Sequence, residues 1–208
     1  EKNLIANSNK KLLERKNFWC AISIHEGEDI FCIKTHLILK NNNFRPTAII
    51  IPRHINKSKN ILKNCEKFNL KAQIISKNDI INPDNDIIIV NSYGFISSYL
   101  EFCKSVFIGK SIIKKLKDVG GQDPIEAAKS GCKIYHGPYV YNFYEIYKLL
   151  SKLNLSEEVK TEIHLAKKIY KDLKSFKNVK SKKISIINNL GKKILKDTCD
   201  ELDKIIKK

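Results

Sequence analysis

The stretch Phe18–Glu28, with the sequence FWCAISIHEGE, decides the fold. Its first seven residues carry no charge and include β-branched and aromatic side chains, which predicts a buried strand over Phe18–Ile24. The polar residues that follow mark the end of this strand. Five further apolar runs share the pattern, and they predict strands at Ala48–Ile51, Ala72–Ile75, Ile87–Asn91, Val106–Ile108 and Lys133–Tyr135.

Helical patterns separate the predicted strands. Apolar strands that alternate with helices are typical of a parallel sheet covered on both faces. The sequence therefore predicts an α/β fold, doubly wound around a mostly parallel sheet, and such sheets bind ligands at the carboxyl ends of their strands. The separating helices are predicted at about Glu28–Lys40, Ser58–Phe68, Ile96–Cys103 and Pro124–Ser130.

The chain divides into three predicted regions: a linker or entry segment over residues 1–17, a Rossmann-like domain over 18–177 and a C-terminal helix over 178–208. The absence of Met and the polar start of the sequence indicate a domain taken from a longer protein. After Pro138 the pattern is helical, with helices at Phe143–Lys152, Glu162–Lys174 and from about Ser181 to the end. We expect the apolar stripe of the last helix to pack on the domain or on a missing partner domain. The residues of this stripe are Ile184, Ile187, Leu190, Ile194, Leu195, Leu202 and Ile205.

The composition excludes several classes of protein. The 208 residues carry a formal net charge of +17, from 39 basic and 22 acidic side chains, and a hydrophobic share of 42% excludes a wholly disordered chain. The longest apolar runs have about half a dozen residues, whereas a membrane span needs roughly 18, which predicts a soluble, cytosolic protein. The positive field favours anionic partners. Lys supplies nearly all of that charge, and the scarcity of Arg weighs against a protein that reads bases.

The cysteines and histidines do not form a recognisable centre. Six Cys fall singly, mostly in apolar stretches and without a C-x-x-C pair, which is typical of reduced core thiols. His and Cys do not cluster as metal ligands, and no Ser-His-Asp or paired-carboxylate arrangement stands out. The sequence therefore predicts neither disulfides nor a zinc site.

Polar clusters follow four of the predicted strands. Because the carboxyl ends of parallel strands meet at one edge of a sheet, all four clusters should share one rim. His and Arg side chains there could donate to phosphate or sugar oxygens, although each alone is also typical of an ordinary loop. The candidate residues in these clusters are Ser23, His25, Glu26, Arg53, His54, Tyr93, Gly94, Lys110 and Ser111.

The segment Gly120–Ala128, GGQDPIEAA, adds a possible phosphate-binding turn. Gly120 and Gly121 permit close approach of a ligand, with Gln122 beside them, and Asp123 and Pro124 suit the start of a helix. The free amides of such a start can hold a phosphate, and Glu126 could accept hydrogen bonds from a ribose. A loop followed by a helix cap without any ligand fits the segment equally well.

Together these motifs make the chain resemble the 3-deoxy-D-manno-octulosonic acid (Kdo) transferases. The resemblance covers about Phe18 to Leu150, with several motifs in the family's order and approximate spacing. The motifs are WCAISIHEGE at 19–28, PRH at 52–54, FIGKS at 107–111, GGQDPIEAA at 120–128 and GPYVYNF at 137–143.

The resemblance implies the carboxy-terminal, donor-binding half of a GT-B glycosyltransferase. The family transfers Kdo from CMP-Kdo to lipid A precursor in lipopolysaccharide biosynthesis, at the cytosolic face of the Gram-negative inner membrane, with peripheral membrane association and without a metal or cofactor at the donor site. Its general base lies in the amino-terminal domain, so this chain alone is expected to be inactive. Carried over by motif, the CMP contacts are Pro52, Arg53, Tyr93, Gly94, Phe95, Asp123, Pro124, Ile125 and Glu126.

Two positions depart from the family pattern. Phe95 stands where the family usually has Glu, and Asp123 stands where it has Asn. Two alternatives stay open: a GT-B relative that uses a UDP-sugar, as transferase or epimerase, and a basic module that binds nucleic acid without catalysis.

Overall fold

A computed structural model describes residues 5–175 and 180–206. Within these residues seven strands form one sheet, every neighbouring pair of strands is parallel, and the order across the sheet is β3-β4-β2-β1-β5-β6-β7. The predicted doubly wound α/β fold is confirmed. The strands are β1 (Phe18–Ile24), β2 (Thr47–Pro52), β3 (Ala72–Ile75), β4 (Ile87–Val90), β5 (Ser105–Ile108), β6 (Lys133–His136) and β7 (Ser156–Glu158).

Helices connect the strands and cover both faces of the sheet. All predicted helices are present, with ends that differ from the prediction by at most three residues where a bound was given. Short 3-10 turns lie at Ile55–Lys57, Lys114–Leu116 and Tyr141–Phe143. The helices are α1 (Asn7–Arg15), α2 (Glu28–Asn41), α3 (Ser58–Lys67), α4 (Ile96–Leu100), α5 (Ile125–Lys129), α6 (Tyr144–Lys152), α7 (Glu162–Lys174) and α8 (Lys180–Ile206).

The core has two layers, one on each face of the sheet. Alternate residues of β1 point to opposite faces, so Phe18 and Cys20 join one cluster while Trp19 and Ala21 join the other. The first cluster lies under α1, α4, α5, α6 and the start of α8, and the second lies under α2, α3 and α7. This burial on both faces explains why the central strands are apolar throughout.

The region predicted as a linker contains a helix. Helix α1 is held by Asn9, whose side chain donates to the carbonyl of Asp79 (2.9 Å) and accepts from the backbone N–H of Ile81 (2.9 Å). Leu13 of the same helix is buried in the first core cluster. The sequence did not predict a helix at Asn7–Arg15 within this linker or entry segment, because a few specific contacts stabilise a segment that is otherwise polar.

The C-terminal helix packs on the domain over its first part only. Ile187 is buried in the first core cluster beside α5, whereas Ile194, Leu195 and Leu202 are exposed. The predicted stripe therefore divides into a packed and an exposed portion. Ile205 belongs to the predicted stripe, but its side chain lies outside the described part of the chain.

Both edge strands of the sheet are short. At one edge, the side-chain amide of Gln73 in β3 donates to the carbonyl of Ile80 and accepts from the N–H of Asn82, which holds a loop beside the strand. At the other edge, β7 has three residues, two of which are Glu. The chain runs from β1 outward to β2 and later returns to place β5 on the other side of β1, so the topological switch point lies between β1 and β5.

Candidate functional site

The predicted polar clusters lie at the carboxyl ends of β1, β2, β4 and β5, on one rim of the sheet. The strand order places Tyr93, after β4, at one side, followed by Arg53 after β2, His25 after β1 and Lys110 after β5. Neighbouring strands lie about 4.8 Å apart, so these four strand ends span about 14 Å. The backbone N–H of Arg53 donates to the carbonyl of Ile24 (3.0 Å). This bond joins the polar segment after β2 to the polar segment after β1.

Glu28 closes the junction between β1 and β5. Its side chain is fully buried, and its carboxylate accepts four backbone hydrogen bonds. One comes from His25 in its own loop (3.0 Å), and three come from Lys110 (2.6 Å), Ser111 (2.8 Å) and Ile112 (3.2 Å) after β5. Successive backbone amides of this kind form a ready-made cradle for an anion. In this chain the cradle is occupied by the protein's own carboxylate.

Gly109 and Ser111 belong to the same junction. A Cβ added at Gly109 would lie 2.5 Å from the Ser23 carbonyl oxygen and 2.7 Å from Oε2 of Glu28, so only Gly fits there. Ser111 is buried; its hydroxyl donates to the carbonyl of Ile108 (2.7 Å) and accepts from the N–H of Gly137 (2.9 Å). The Ser111 side chain is thus used to build the rim and points away from a ligand on its surface.

A cleft of about 280 Å³ opens beside the end of β1, between the start of α2 and α3. Asp29, buried on its wall, accepts from the N–H of Gly27 (3.0 Å) and from the side-chain amide of Asn64 (2.7 Å). Glu26 is exposed at its mouth, 3.0 Å from the ammonium of Lys57. Both carboxylates of the cleft therefore already have partners.

His25 and His54 meet edge to face where β1 and β2 end. Their ring centroids are 6.0 Å apart and their planes are inclined at 82°. Partial burial lowers the pKa of His25 below its usual value; the carboxylate of Glu28 opposes this shift, and the charges of Lys110, His54 and Arg53 add to it. In the described part of the chain, Nε2 of His25 is shielded from solvent and has no hydrogen-bond partner.

The loop after β4 presents one side chain and buries another. Tyr93 is 64% exposed, and Gly94 has a φ of 81°. Phe95 is only 4% exposed and packs in the first core cluster. A ligand at this loop can therefore reach Phe95 only through its backbone, which gives a physical reason why an apolar residue is tolerated where the Kdo transferases usually have Glu.

The Gly120–Glu126 segment lies beside the end of β5. The N–H of Gly121, at a φ of 95°, donates to the carbonyl of Lys110 (2.6 Å), and the carbonyl of Gln122 accepts from the hydroxyl of Tyr147 (3.0 Å). Asp123 is exposed, and its carboxylate accepts from the N–H of Ile125 (2.8 Å). This amide, expected to be free for a phosphate, is therefore already capped, and α5 has only five residues.

The predicted donor contacts lie near the carboxyl ends of the strands, but their exposure to solvent differs. Exposed side chains belong to Glu26, Arg53, His54, Tyr93, Asp123 and Glu126, and half-buried ones to Ser23, His25, Lys110, Gln122 and Ile125. Buried residues are Pro52, Phe95, Ser111, Gly120, Gly121 and Pro124, while Gly94 is exposed. Their roles as ligand contacts stay predictions. The structural role of Glu28 was missed, because three of its four partners lie more than 80 residues away in sequence.

The described residues contain neither a metal-binding cluster nor a membrane-spanning helix. Among residues 5–175 and 180–206, no group of three or more His, Cys, Asp or Glu side chains could hold a metal ion. The helices in these ranges include none with the length and apolarity needed to cross a membrane.

Comparison with known proteins supports the resemblance. No protein-family model matches the chain. A 3-deoxy-D-manno-octulosonic acid transferase of Aquifex aeolicus is 26% identical over 176 residues, which cover 85% of this chain and 47% of the relative. The enzyme of the same name from Haemophilus influenzae is 24% identical over 198 residues, covering 90% of this chain and 42% of the relative. The chain thus spans about half the length of the curated relatives it matches.

A solved structure extends the comparison to three dimensions. The crystal structure of the C-terminal CMP-Kdo binding domain of WaaA from Acinetobacter baumannii superimposes with a TM-score of 0.75. It covers 86% of this chain and 91% of that domain, at 16% sequence identity. At this identity the likeness establishes the fold, and the curated relatives confirm the similarity to Kdo transferases that the motifs indicated.

Proposed function

We propose that the chain is the donor-binding half of a Kdo transferase and holds CMP-Kdo at the rim described above. One observation carries the proposal: the three segments matched by motif, Pro52–Arg53, Tyr93–Phe95 and Asp123–Glu126, all lie at the carboxyl side of a single parallel sheet. They flank the switch point between β1 and β5, where sheets of this type bind ligands.

The exposed side chains of these segments suit the parts of a sugar nucleotide. Arg53 has no carboxylate partner within the described residues, and its guanidinium can pair with the phosphate. The exposed ring of Tyr93 can pack against the base, and the carboxylate of Glu126 can accept hydrogen bonds from the ribose. Because Asp123 caps its own helix through Ile125, its negative charge is partly compensated near the bound phosphate.

In the proposed reaction an acceptor hydroxyl attacks the anomeric carbon of Kdo. The new bond forms between the hydroxyl oxygen and that carbon while the bond to the phosphate oxygen breaks, so the configuration inverts and CMP leaves with the electron pair. The hydroxyl proton passes to a carboxylate of a second domain outside this chain. This half contributes by holding CMP and stabilising the charge that develops on the departing phosphate, chiefly through Arg53.

The same proposal covers the partners of the whole protein. The acceptor is lipid A precursor, bound mainly by the other domain, and the full-length protein associates peripherally with the cytosolic face of the Gram-negative inner membrane. The donor site works without a metal or cofactor. Accordingly, CMP affinity should be the same in the presence and absence of EDTA.

Calorimetric titration of the chain with CMP, UMP and UDP tests the proposed donor. We expect weak binding of CMP and weaker binding of both uridine nucleotides. A clear preference for uridine would support a UDP-sugar enzyme instead. Affinity for single-stranded oligonucleotides above that for CMP, falling steeply with salt, would indicate a nucleic-acid-binding module.

A transfer assay tests the division of labour between the two halves. The chain alone, given CMP-Kdo and lipid A precursor, should form no product, because the base that deprotonates the acceptor lies elsewhere. Product formation by the isolated chain would contradict this part of the proposal.

A further inference from the structure

Three positive or protonatable side chains around the switch point are not among the CMP contacts carried over by motif. His25 follows β1, His54 follows β2 and Lys110 follows β5; we call these three residues the switch-point cluster. The two rings are in edge-to-face contact, and the charge of Lys110 acts on His25 together with that of neighbouring Arg53. The ends of three neighbouring strands, β2, β1 and β5, thus carry positive or protonatable groups.

The carboxylates next to the cluster are already engaged. Glu28 faces His25 but accepts four backbone hydrogen bonds, and Asp29 accepts from Gly27 and Asn64. The remaining acid of this loop, Glu26, pairs with Lys57. Within the described residues, the ammonium of Lys110 has no carboxylate partner, and Nε2 of His25 has no hydrogen-bond partner.

The switch-point cluster lies between the two groups of predicted CMP contacts. Arg53 and Tyr93 lie toward β4, whereas Asp123–Glu126 lies beyond the end of β5. A single ligand that touches both groups must pass over the ends of β1 and β5. The switch-point cluster lies on that path.

We infer that the switch-point cluster is an anion subsite, which binds a charged oxygen group of the donor through His25, His54 and Lys110 with uptake of a proton by His25. The inference rests on the proposed function, since the ligand is the same sugar nucleotide. CMP-Kdo offers two groups of this chemistry, the phosphate and the carboxylate of the sugar acid. Imidazolium and ammonium groups donate charge-assisted hydrogen bonds to either.

Proton uptake follows from the groups that face His25. Without ligand, burial and the charges of Lys110, His54 and Arg53 favour its neutral form, and only Glu28 opposes them. A bound anion adds a negative charge beside the ring, which raises the pKa of His25. Binding of CMP-Kdo, whose phosphodiester keeps one charge throughout this range, should therefore take up protons near neutral pH, and its affinity should increase as the pH falls from 8 to 6.

The test measures binding of CMP and CMP-Kdo to the chain by calorimetry, in two buffers with different ionisation enthalpies. The variants are His25→Gln and Lys110→Gln, and the matched controls are His164→Gln, on α7 next to Glu157, and Lys114→Gln, an exposed lysine close in sequence. We expect tenfold or greater loss of affinity in the two cluster variants, little change in the controls, and loss of proton uptake in His25→Gln. Thermal unfolding without ligand verifies that each variant folds.

The two ligands identify which group occupies the subsite. A loss already seen with CMP assigns the subsite to the phosphate, and a loss seen only with CMP-Kdo assigns it to the sugar carboxylate. If wild type binds CMP while folded cluster variants bind both ligands as tightly as the controls do, the inference is wrong and the proposed function stands. If wild type binds neither ligand, both are wrong.

Discussion

The junction of β1 with β5 and the flank formed by the ends of β2 and β4 belong to one rim but use their polar groups differently. At the junction Glu28 is fully buried, and its carboxylate accepts four backbone hydrogen bonds. On the flank Arg53 and Tyr93 extend into solvent. Polar residues in a strand-end motif therefore divide into those that build the rim and those whose side chains face solvent.

The largest effect should come from removing the buried carboxylate. Glu28→Ala leaves four backbone N–H groups without their acceptor, and each unsatisfied buried group costs about 1–3 kcal/mol. Allowing for partial access of water, we expect the free energy of unfolding to fall by about 4 kcal/mol. Urea denaturation of wild type and Glu28→Ala measures this change in the free energy of unfolding.

Glu26→Ala is the matched control, because Glu26 is an exposed glutamate of the same loop with only a surface ion pair to Lys57. It should leave the free energy of unfolding almost unchanged. Equal stability of Glu28→Ala and Glu26→Ala would remove the distinction between junction and flank.

A second effect should come from filling the space beside Glu28. Gly109→Ala places a methyl group against the Ser23 carbonyl and the Glu28 carboxylate, and overpacking of this kind costs about 1–3 kcal/mol. Within the described residues, a Cβ at Gly191 of α8 would meet no atom within 4 Å. Gly191→Ala should therefore stabilise the chain by about 0.5–1 kcal/mol through helix propensity. In urea denaturation we expect Gly109→Ala to lower the free energy of unfolding and Gly191→Ala to raise it. Changes of the same sign in both variants would contradict the packing argument.

His36 is a buried polar residue without hydrogen-bond partners in the described residues, whereas the buried carboxylate of Glu28 accepts four. In the described part of the chain, neither ring nitrogen of His36 has a hydrogen-bond partner, and burial lowers its pKa to about 4. In the unfolded chain His36 takes up a proton below about pH 6.5, whereas in the folded chain it does so only near pH 4. The free energy of unfolding therefore falls as the pH decreases between these values. The expected loss from His36 alone is about 2 kcal/mol at pH 5.

Urea denaturation of wild type and His36→Leu at pH 7.5 and pH 5 measures this contribution. The substitution replaces the titrating ring by an apolar side chain, and His25 and His136, whose pKa values are also lowered, remain in both proteins. The variant should lose less stability on acidification than wild type. An identical loss in both would show that His36 does not carry the pH dependence.

The smallest effect is expected for Arg53, on the flank formed by the ends of β2 and β4. Its substitution should change CMP binding and leave the free energy of unfolding unchanged. Arg53→Gln removes a guanidinium that is exposed and has no structural partner in the described residues. If it contacts the phosphate of the donor, CMP affinity should fall about tenfold, or about 1.4 kcal/mol. Urea denaturation should be unchanged. A large loss of stability would mean that Arg53 belongs with the residues that build the rim.

The fold was predictable because most strands are short apolar runs. Strands β1 and β3 were predicted to the residue, since each is bounded by polar residues on both sides. Strand β7, Ser156–Glu158, was missed because it is an edge strand of three polar residues and has no apolar run to recognise. Helix α1 was missed for a related reason: it is polar, and the contacts of Asn9 that hold it lie about 70 residues away.

The site was predictable in outline and not in detail. Parallel topology alone places His25, Arg53, Tyr93 and Lys110 on one rim, so their convergence could be inferred from strand ends. Whether a polar group there faces solvent or another backbone segment depends on contacts between distant loops. The sequence shows Glu28 only as an acid at a helix start, and nothing local distinguishes it from its neighbour Asp29.

The edges of the sheet have a consequence for how the chain behaves in concentrated solution. An unprotected outer strand can template pairing with a second molecule, which leads to aggregation. Here a glutamine amide of β3 holds its own loop beside that strand, and two acidic residues in the three-residue β7 disfavour strand addition at the opposite side. Intermolecular growth through the β7 border is thus discouraged, although the internal strands β1, β2 and β4 are strongly apolar.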